Sequence, residues 1–225
     1  LHIEQGPILE AENISIGAVD SVQGISWTQI TIEGQSNHAG TTPMHMRHDA
    51  GWVAGEITSY VRRLVNEIGG NQVGTVGKID LVPNLVNVVA SKATMTVDLR
   101  NTDDEILKDA ELKLATFCDS LSSLEEVQIR REVLARFEPV VFDDALVGDV
   151  IRFSESLDIS VKQMTSGAGH DAQMFARVCP AAMIFVPSEN GLSHNPAEFT
   201  SQREIEDGSN VLLRMMADLS GLRDD

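Results

Sequence analysis

Gly24-Ile25-Ser26-Trp27-Thr28-Gln29-Ile30-Thr31-Ile32 is the stretch whose pattern sets the architecture. Ile25, Trp27, Gln29 and Thr31 alternate with Ser26, Thr28, Ile30 and Ile32, which is the period of a long strand. Beyond a loop over residues 34–43, apolar side chains recur at helical spacing: Val53, Ile57, Tyr60, Val61 and Leu64. Gly69-Gly70 stops that helix. Strands are expected near residues 74–81 and 93–100. Asn101-Thr102-Asp103-Asp104-Glu105 is a capped, acidic helix start. It predicts a helix that carries Ile106, Leu107, Ala110, Leu114 and Phe117 towards a core. Residues 127–133 alternate again. The order over residues 24–138 is therefore β-α-β-β-α-β, the split pattern of a ferredoxin-like sandwich.

On either side the pattern is different. Residues 1–22 hold an apolar opening, a Gly-Pro turn and the strand-like Ile16-Gly17-Ala18-Val19. After Pro139 come a helix (residues 144–157), a strand (159–163), a Gly-rich turn, a short helix (172–176), a buried strand (181–186) and a final helix (202–220). This tail reads as half of an α/β domain. The fold class expected is α/β, with residues 24–138 inserted as a small domain between residues 1–23 and 139–225 of a larger one.

Composition narrows the partners. The 225 residues are 42% hydrophobic and 23% charged, a mix able to bury a core. Seventeen basic residues against 34 acidic ones give a net charge of −17, which argues against nucleic acid and anionic membranes. Cys118 and Cys179 form no CxxC pair, so neither a disulfide framework nor a thiolate zinc site is expected, and a reducing cytosol suits them. No apolar run approaches the ~18 residues of a membrane span. A histidine at position 2 and the absence of an initiator Met lead us to expect a fragment that begins in mid-site.

Four of the six histidines carry the chemical interest. His2, in Leu1-His2-Ile3-Glu4-Gln5-Gly6-Pro7, and His194, in Gly191-Leu192-Ser193-His194-Asn195-Pro196-Ala197-Glu198, lie in polar, Gly/Pro-bounded settings that suit ligands. Neither has a helical HxxxH partner, so spacing alone leaves them as ligands or ordinary histidines. Gln5 could share a pocket with His2 if the chain turns at Gly6. His38 sits among small residues in Ser36-Asn37-His38-Ala39-Gly40-Thr41-Thr42-Pro43-Met44, either a surface turn or a loop that a ligand approaches closely. Ser166-Gly167-Ala168-Gly169-His170-Asp171-Ala172 joins a strand to a helix, either a structural turn or a loop where backbone N–H groups could face an anion and Asp171 could orient His170 or join it in a site. Arg100 ends a strand and could fork onto a substrate carboxylate, or pair with Asp98 or Asp103. Asn87 could donate an amide or shape a turn. Met215 and Met216, with Leu212 and Leu219, read as core, and Trp27 and Trp52 as packing residues.

His-Ile-Glu-Gln-Gly-Pro, Asn-His-Ala-Gly-Thr-Thr-Pro-Met, Asn-Val-Val followed by Asp-Leu-Arg, Ser-Gly-Ala-Gly-His-Asp-Ala and Ser-His-Asn-Pro-Ala-Glu occur here in one order. Together, over essentially the whole chain, they resemble the amidohydrolases that cleave N-carbamoyl groups: allantoate amidohydrolase, N-carbamoyl-L-amino-acid hydrolase and β-ureidopropionase. The resemblance implies that residues 1–23 and 139–225 are the second part of a metal-binding catalytic domain. It makes residues 24–138 a lid that also forms a homodimer. It implies two divalent metal ions, zinc or manganese, per complete subunit, with His2 a ligand to one and His194 to the other. Gln5, His38, Asn87, Arg100 and His170 become substrate-binding residues, His38 also being the catalytic one that polarises the carbonyl or stabilises the oxyanion. Some of these groups would serve the partner subunit's site. The substrate implied is a small ureido or carbamoyl acid, allantoate slightly preferred, and the location cytoplasmic. The remaining ligands and the general base precede His-Ile-Glu-Gln in such enzymes, so this chain is expected to be inactive alone. An exopeptidase or deacylase of the same plan and a non-catalytic dimerisation module are the competing readings.

Overall fold

The computed structural model describes residues 1–221 and divides the chain into two compact units: Leu1–Gln23 with the described residues from Val140 onward, and Gly24–Pro139. In chain order the first unit opens with β1 (His2–Ile3), α1 (Ile8–Glu12) and β2 (Ile16–Val22). The second unit holds β3 (Gly24–Glu33), α2 (Ala50–Ile68), β4 (Val73–Val82), β5 (Lys92–Asn101), α3 (Asp104–Glu125) and β6 (Gln128–Phe137). The chain then returns to the first unit with β7 (Val140–Val141), α4 (Asp144–Ser156), β8 (Val161–Ser166), α5 (Ala172–Phe175), β9 (Met183–Val186) and α6 (Gln202–Leu219).

The second unit is a four-stranded sheet in the order β4-β5-β3-β6, every neighbouring pair antiparallel. Its core gathers Ile30 and Ile32 of β3, Met95, Val97 and Leu99 of β5, Val53, Ile57, Val61 and Leu64 of α2, and Leu107, Ala110 and Leu114 of α3. Apolar side chains on alternate strand residues meet the stripes of two amphipathic helices, so one sheet face is covered. Both helices begin on an aspartate. Asp49 Oδ1 accepts from the N–H groups of Gly51 and Trp52, and Asp103 Oδ1 from those of Glu105 and Ile106. Such a cap is worth about 1 kcal/mol.

The first unit is centred on β2. β8 pairs with it in parallel along one edge, while β9 takes Gly17–Val19 and β7 takes Ser21 and Val22 on the other, both antiparallel. β1 adds in parallel to β9 through His2↔Phe185 and Ile3↔Val186. All four residues of β9 are buried, as their uninterrupted apolar run requires.

Several faces differ from the sequence reading. Trp27 and Trp52 are each 42% exposed, on the uncovered sheet face and the outer side of α2. Met215 is buried but Met216 and Leu219 are exposed, because adjacent helical residues point ~100° apart and only one can face the sheet. For the same reason Leu107, not Ile106, enters the core, and Phe117 stays at its margin, stacked on Tyr60 with ring centroids 3.9 Å apart. No described helix is long and apolar enough to cross a membrane.

Candidate functional site

In the first unit, strand pairing gathers residues from both ends of the chain. Because β1 adds to β9, His2 stands beside Phe185, and the Gly-rich loop after β8 brings His170 against it, ring centroids 4.6 Å apart and edge to face. The segment after β9 supplies the other side. Gln5 N–H donates to the fully buried Ser188 hydroxyl at 3.0 Å, and Gln5 Nε2 to Ser193 Oγ at 2.9 Å. His2, Ile3, Gln5, His194, Asn195 and Glu198 thereby line one open cleft of about 620 Å³.

Two of the imidazoles have a ring nitrogen in a hydrogen bond. His2 Nδ1 lies 2.8 Å from the Ile3 carbonyl, which makes Nδ1 the donor and leaves the Nε2 lone pair available. That is the state in which a histidine binds a metal. His170 Nε2 lies 3.0 Å from Ser166 Oγ, whose own proton goes to the Ala168 carbonyl, so the imidazole is the donor and Nδ1 its acceptor. Burial, with His2 alongside, pushes the His170 pKa down to about 4, so the ring is neutral at pH 7. Ser166, not Asp171, orients this ring. α5 has only four residues, too short for a strong anion site at its start. Gln5 and His194 both sit in the left-handed region, at φ of 59° and 55°. Each conformation costs about 1–2 kcal/mol in a non-glycine residue and is held by its neighbours.

The nearby carboxylates are committed to backbone. Glu4 is buried, and its two oxygens accept from Ile8 and Leu9 N–H at 2.9 Å, capping α1. Glu198 Oε2 accepts the His194 N–H at 3.0 Å and fixes the loop that carries this histidine. Among the described residues no three His, Cys, Asp or Glu side chains converge as a metal-holding group. The donor set fits a metal at single imidazoles and does not close a coordination sphere.

In the second unit the His38 loop and the Asn87 loop are joined. His38 and Val88 form an isolated bridge, Ala39 N–H donates to the Asn87 carbonyl at 2.9 Å, and Val89 N–H to the Asn37 carbonyl at 2.8 Å. Gly40 N–H donates to His38 Nδ1 at 3.1 Å, so the neutral ring carries its proton on Nε2 and presents a donor outwards. Arg100 is not with them. The two loops lie beyond the Glu33↔Lys92 end of β3 and β5, whereas Arg100 pairs with Ile25 at the other end. Eight residues of strand separate Lys92 from Arg100, roughly 25 Å at the usual rise. Arg100 is also forked onto Asp98, Nε to Oδ1 at 3.0 Å and Nη2 to Oδ2 at 2.7 Å.

The residues that position this cleft include three serines, Ser166, Ser188 and Ser193, to which the sequence reading gave no role. Ser166 and Ser193 lie inside the quoted motifs; nothing in the sequence marks Ser188, because its partner is Gln5 at the opposite end of the chain.

Residues 1–218 match peptidase family M20/M25/M40. Allantoate amidohydrolase of Escherichia coli K12 is 39% identical over 220 residues, 98% of this chain and 54% of that protein. N-carbamoyl-L-amino-acid amidohydrolase of Paenarthrobacter aurescens is 38% identical, over 96% of this chain and 52% of that one. The crystal structure of an amidase of the hydantoinase/carbamoylase family from Burkholderia multivorans superposes with a TM-score of 0.92 at 39% identity, covering 95% of this chain and 52% of that structure. The chain belongs to the M20/M25/M40 peptidase family. It spans about half the length of the curated relatives it matches.

Proposed function

We propose that this chain is the part of a metal-dependent amidohydrolase that completes its metal site and binds its substrate, a small ureido or carbamoyl acid such as allantoate or an N-carbamoyl-L-amino acid. The observation that carries the reading is the meeting of His2, Gln5, His170 and His194 from opposite ends of the chain, in a relative of enzymes named for those substrates. His2 and His194 hold the divalent ions, zinc or manganese, two in each complete subunit. Bound there, such ions supply Lewis acidity and an activated water.

The chain's own groups do the rest. Gln5, pinned by Ser188 and Ser193, offers its amide to the ureido group. His170, neutral and held by Ser166, contributes an uncharged wall beside the ligands. His38 donates from Nε2 to the carbonyl oxygen as negative charge develops on it, the preorganised stabilisation that lowers such barriers most. Asn87, joined to the His38 loop, adds an amide, and Arg100, oriented by Asp98, takes the substrate carboxylate.

The β-α-β-β-α-β unit, residues 24–138 as read from the sequence, is the ferredoxin-like lid and the dimerising surface. The distance between Arg100 and the His38–Asn87 pair supports this, since one small acid cannot reach both within a single sheet. Each site in the homodimer takes Arg100 from one subunit and His38 with Asn87 from the other. The unpaired cysteines suit the cytoplasm.

The test is turnover by the full-length protein beside the 225-residue chain, on allantoate, N-carbamoyl-L-amino acids and dipeptides. Ureido turnover with bound metal by the longer protein alone is the expected result. Turnover of dipeptides only would replace the reading by an exopeptidase, and no turnover of any of them by a non-catalytic dimerisation module.

A further inference from the structure

The second unit contains a cavity of about 270 Å³, between the helix-covered face of its sheet and α3, to which the amidohydrolase reading gives no role. The covered face of β3 runs Ile32, Ile30, Thr28, Ser26. The first two fill the core, but where two more apolar side chains would pack there are two short hydroxyls. Across from them α3 presents Ala115 beside Leu114. The void thus arises from small residues at three positions, not from a gap between elements.

Ser26 is 3% exposed, and neither its hydroxyl nor that of Thr28 makes a hydrogen bond among the described residues. Neither oxygen is sealed off, and both can be reached by a partner from the cavity. The rest of the wall is apolar, from Val97, Leu99 and Leu114. Arg131 and Arg136 lie at the rim, but their charge is already met. Arg131 pairs with Asp119 at 2.6 Å, and Arg136 with Asp104 and Glu111, each at 2.7 Å. Asp104 is also shared with Lys108, so three carboxylates meet three cations and no surplus positive charge is left to attract an anion.

We propose that this cavity binds a small uncharged molecule with an apolar body and one hydroxyl head, an alcohol or phenol seated with its head on Ser26 and Thr28. Water would satisfy the hydroxyls and leave the apolar wall wet. A pure hydrocarbon would fill the wall and leave the hydroxyls unmet. An amphipathic molecule does both, as small-ligand pockets usually require.

The test uses the 225-residue chain, benzyl alcohol as the probe and toluene as its apolar counterpart, followed by ¹H–¹⁵N correlation spectra. Saturable shifts centred on the amides of Ser26, Thr28, Leu114 and Val133 are expected, with toluene binding more weakly. Ser26→Ala should weaken benzyl alcohol about fivefold, the worth of one hydrogen bond. Ala115→Leu should fill the space and abolish the shifts while the spectrum keeps its native dispersion. The proposal is overturned if no saturable shift appears at these amides, if A115L binds as the parent does, or if toluene binds as tightly as the alcohol.

Discussion

At the residue scale the function rests on which ring nitrogen carries a proton. His2 gives its Nδ1 proton to the Ile3 carbonyl, so Nε2 is free of hydrogen at the cleft. In the full-length protein, His2→Gln should therefore lower metal affinity by more than the roughly 10–100-fold that losing a hydrogen-bond partner behind a ligand costs. Metal titration with a competing chelator measures it, and unchanged affinity would remove His2 from the ligand set. The two thiols make a second contrast. Cys118 is fully buried among α3 core residues, and desolvation pushes its pKa up to about 11, whereas Cys179 is exposed. The thiolate is the reactive form. A disulfide reagent at pH 8 should label one thiol per native chain, at Cys179, and two once the chain is unfolded in denaturant. Fast labelling of both in the native protein would mean that the second unit opens readily. The sequence showed the residue types of the cleft well, because His170 and His194 sit in loops of small and polar residues and a Gly-Pro turn follows close on His2. It could not show that His170 touches His2 or that Ser188 holds Gln5, since those contacts depend on β1 joining β9 and not on any local pattern.

At the element scale the order of strands and helices was legible because the long elements announce themselves by period and cap. The apolar period from Val53 to Leu64 marks one long helix of the second unit, the capped start at Asp103 marks the other, and the alternation from Ile25 to Ile32 marks its central strand. What escaped was short. Two-residue β1 and β7 and five-residue α1 are too brief for a period, and they exist because their neighbours offer partners. Which side of a helix faces inward also escaped at Met216 and Ile106, where one step of rotation decides. Junctions are where local chemistry can be tested by sign. A Cβ on Gly34, at the exit of β3 into the His38 loop, would collide with the His48 carbonyl oxygen, and neither partner is a side chain that can swing away. Gly34→Ala should cost at least ~2 kcal/mol, towards the upper end for overpacking. Gly55 is exposed inside α2, and a methyl group added there would meet nothing within 4 Å, so Gly55→Ala should add about 1 kcal/mol of stability. Both tryptophans lie in this unit, so urea unfolding followed by their fluorescence reads each change directly. A neutral G34A would mean that the junction relaxes freely.

At the scale of the whole molecule, the insertion is made possible by where its ends fall. Ile25 pairs with Phe137, and Gly24 lies against Pro139, so the second unit leaves and returns to the chain at neighbouring points and can carry its own core. Its edge strands keep apolar side chains in the open, Val73, Ile79 and Val82 on β4 and Val133 and Leu134 on β6. Exposed edges of that composition pair with another chain unless something blunts them. In the twofold dimer proposed above each contact occurs twice, so a group that one subunit lends to its partner's site would be lent back in return. In that proposed dimer the strand register would make the division specific: Arg100 from one chain, His38 and Asn87 from the other. This yields a complementation experiment with a numerical outcome. Full-length subunits carrying Arg100→Ala or His38→Ala should each be nearly inactive as homodimers. In a randomly reassorted mixture half of the dimers are mixed, and each mixed dimer holds one site with both groups intact and one with neither. Activity should therefore recover to about a quarter of the parent value, as twofold sharing demands. If Arg100 and His38 of the same subunit served one site, every site in every dimer would lack one of them, and mixing would recover nothing.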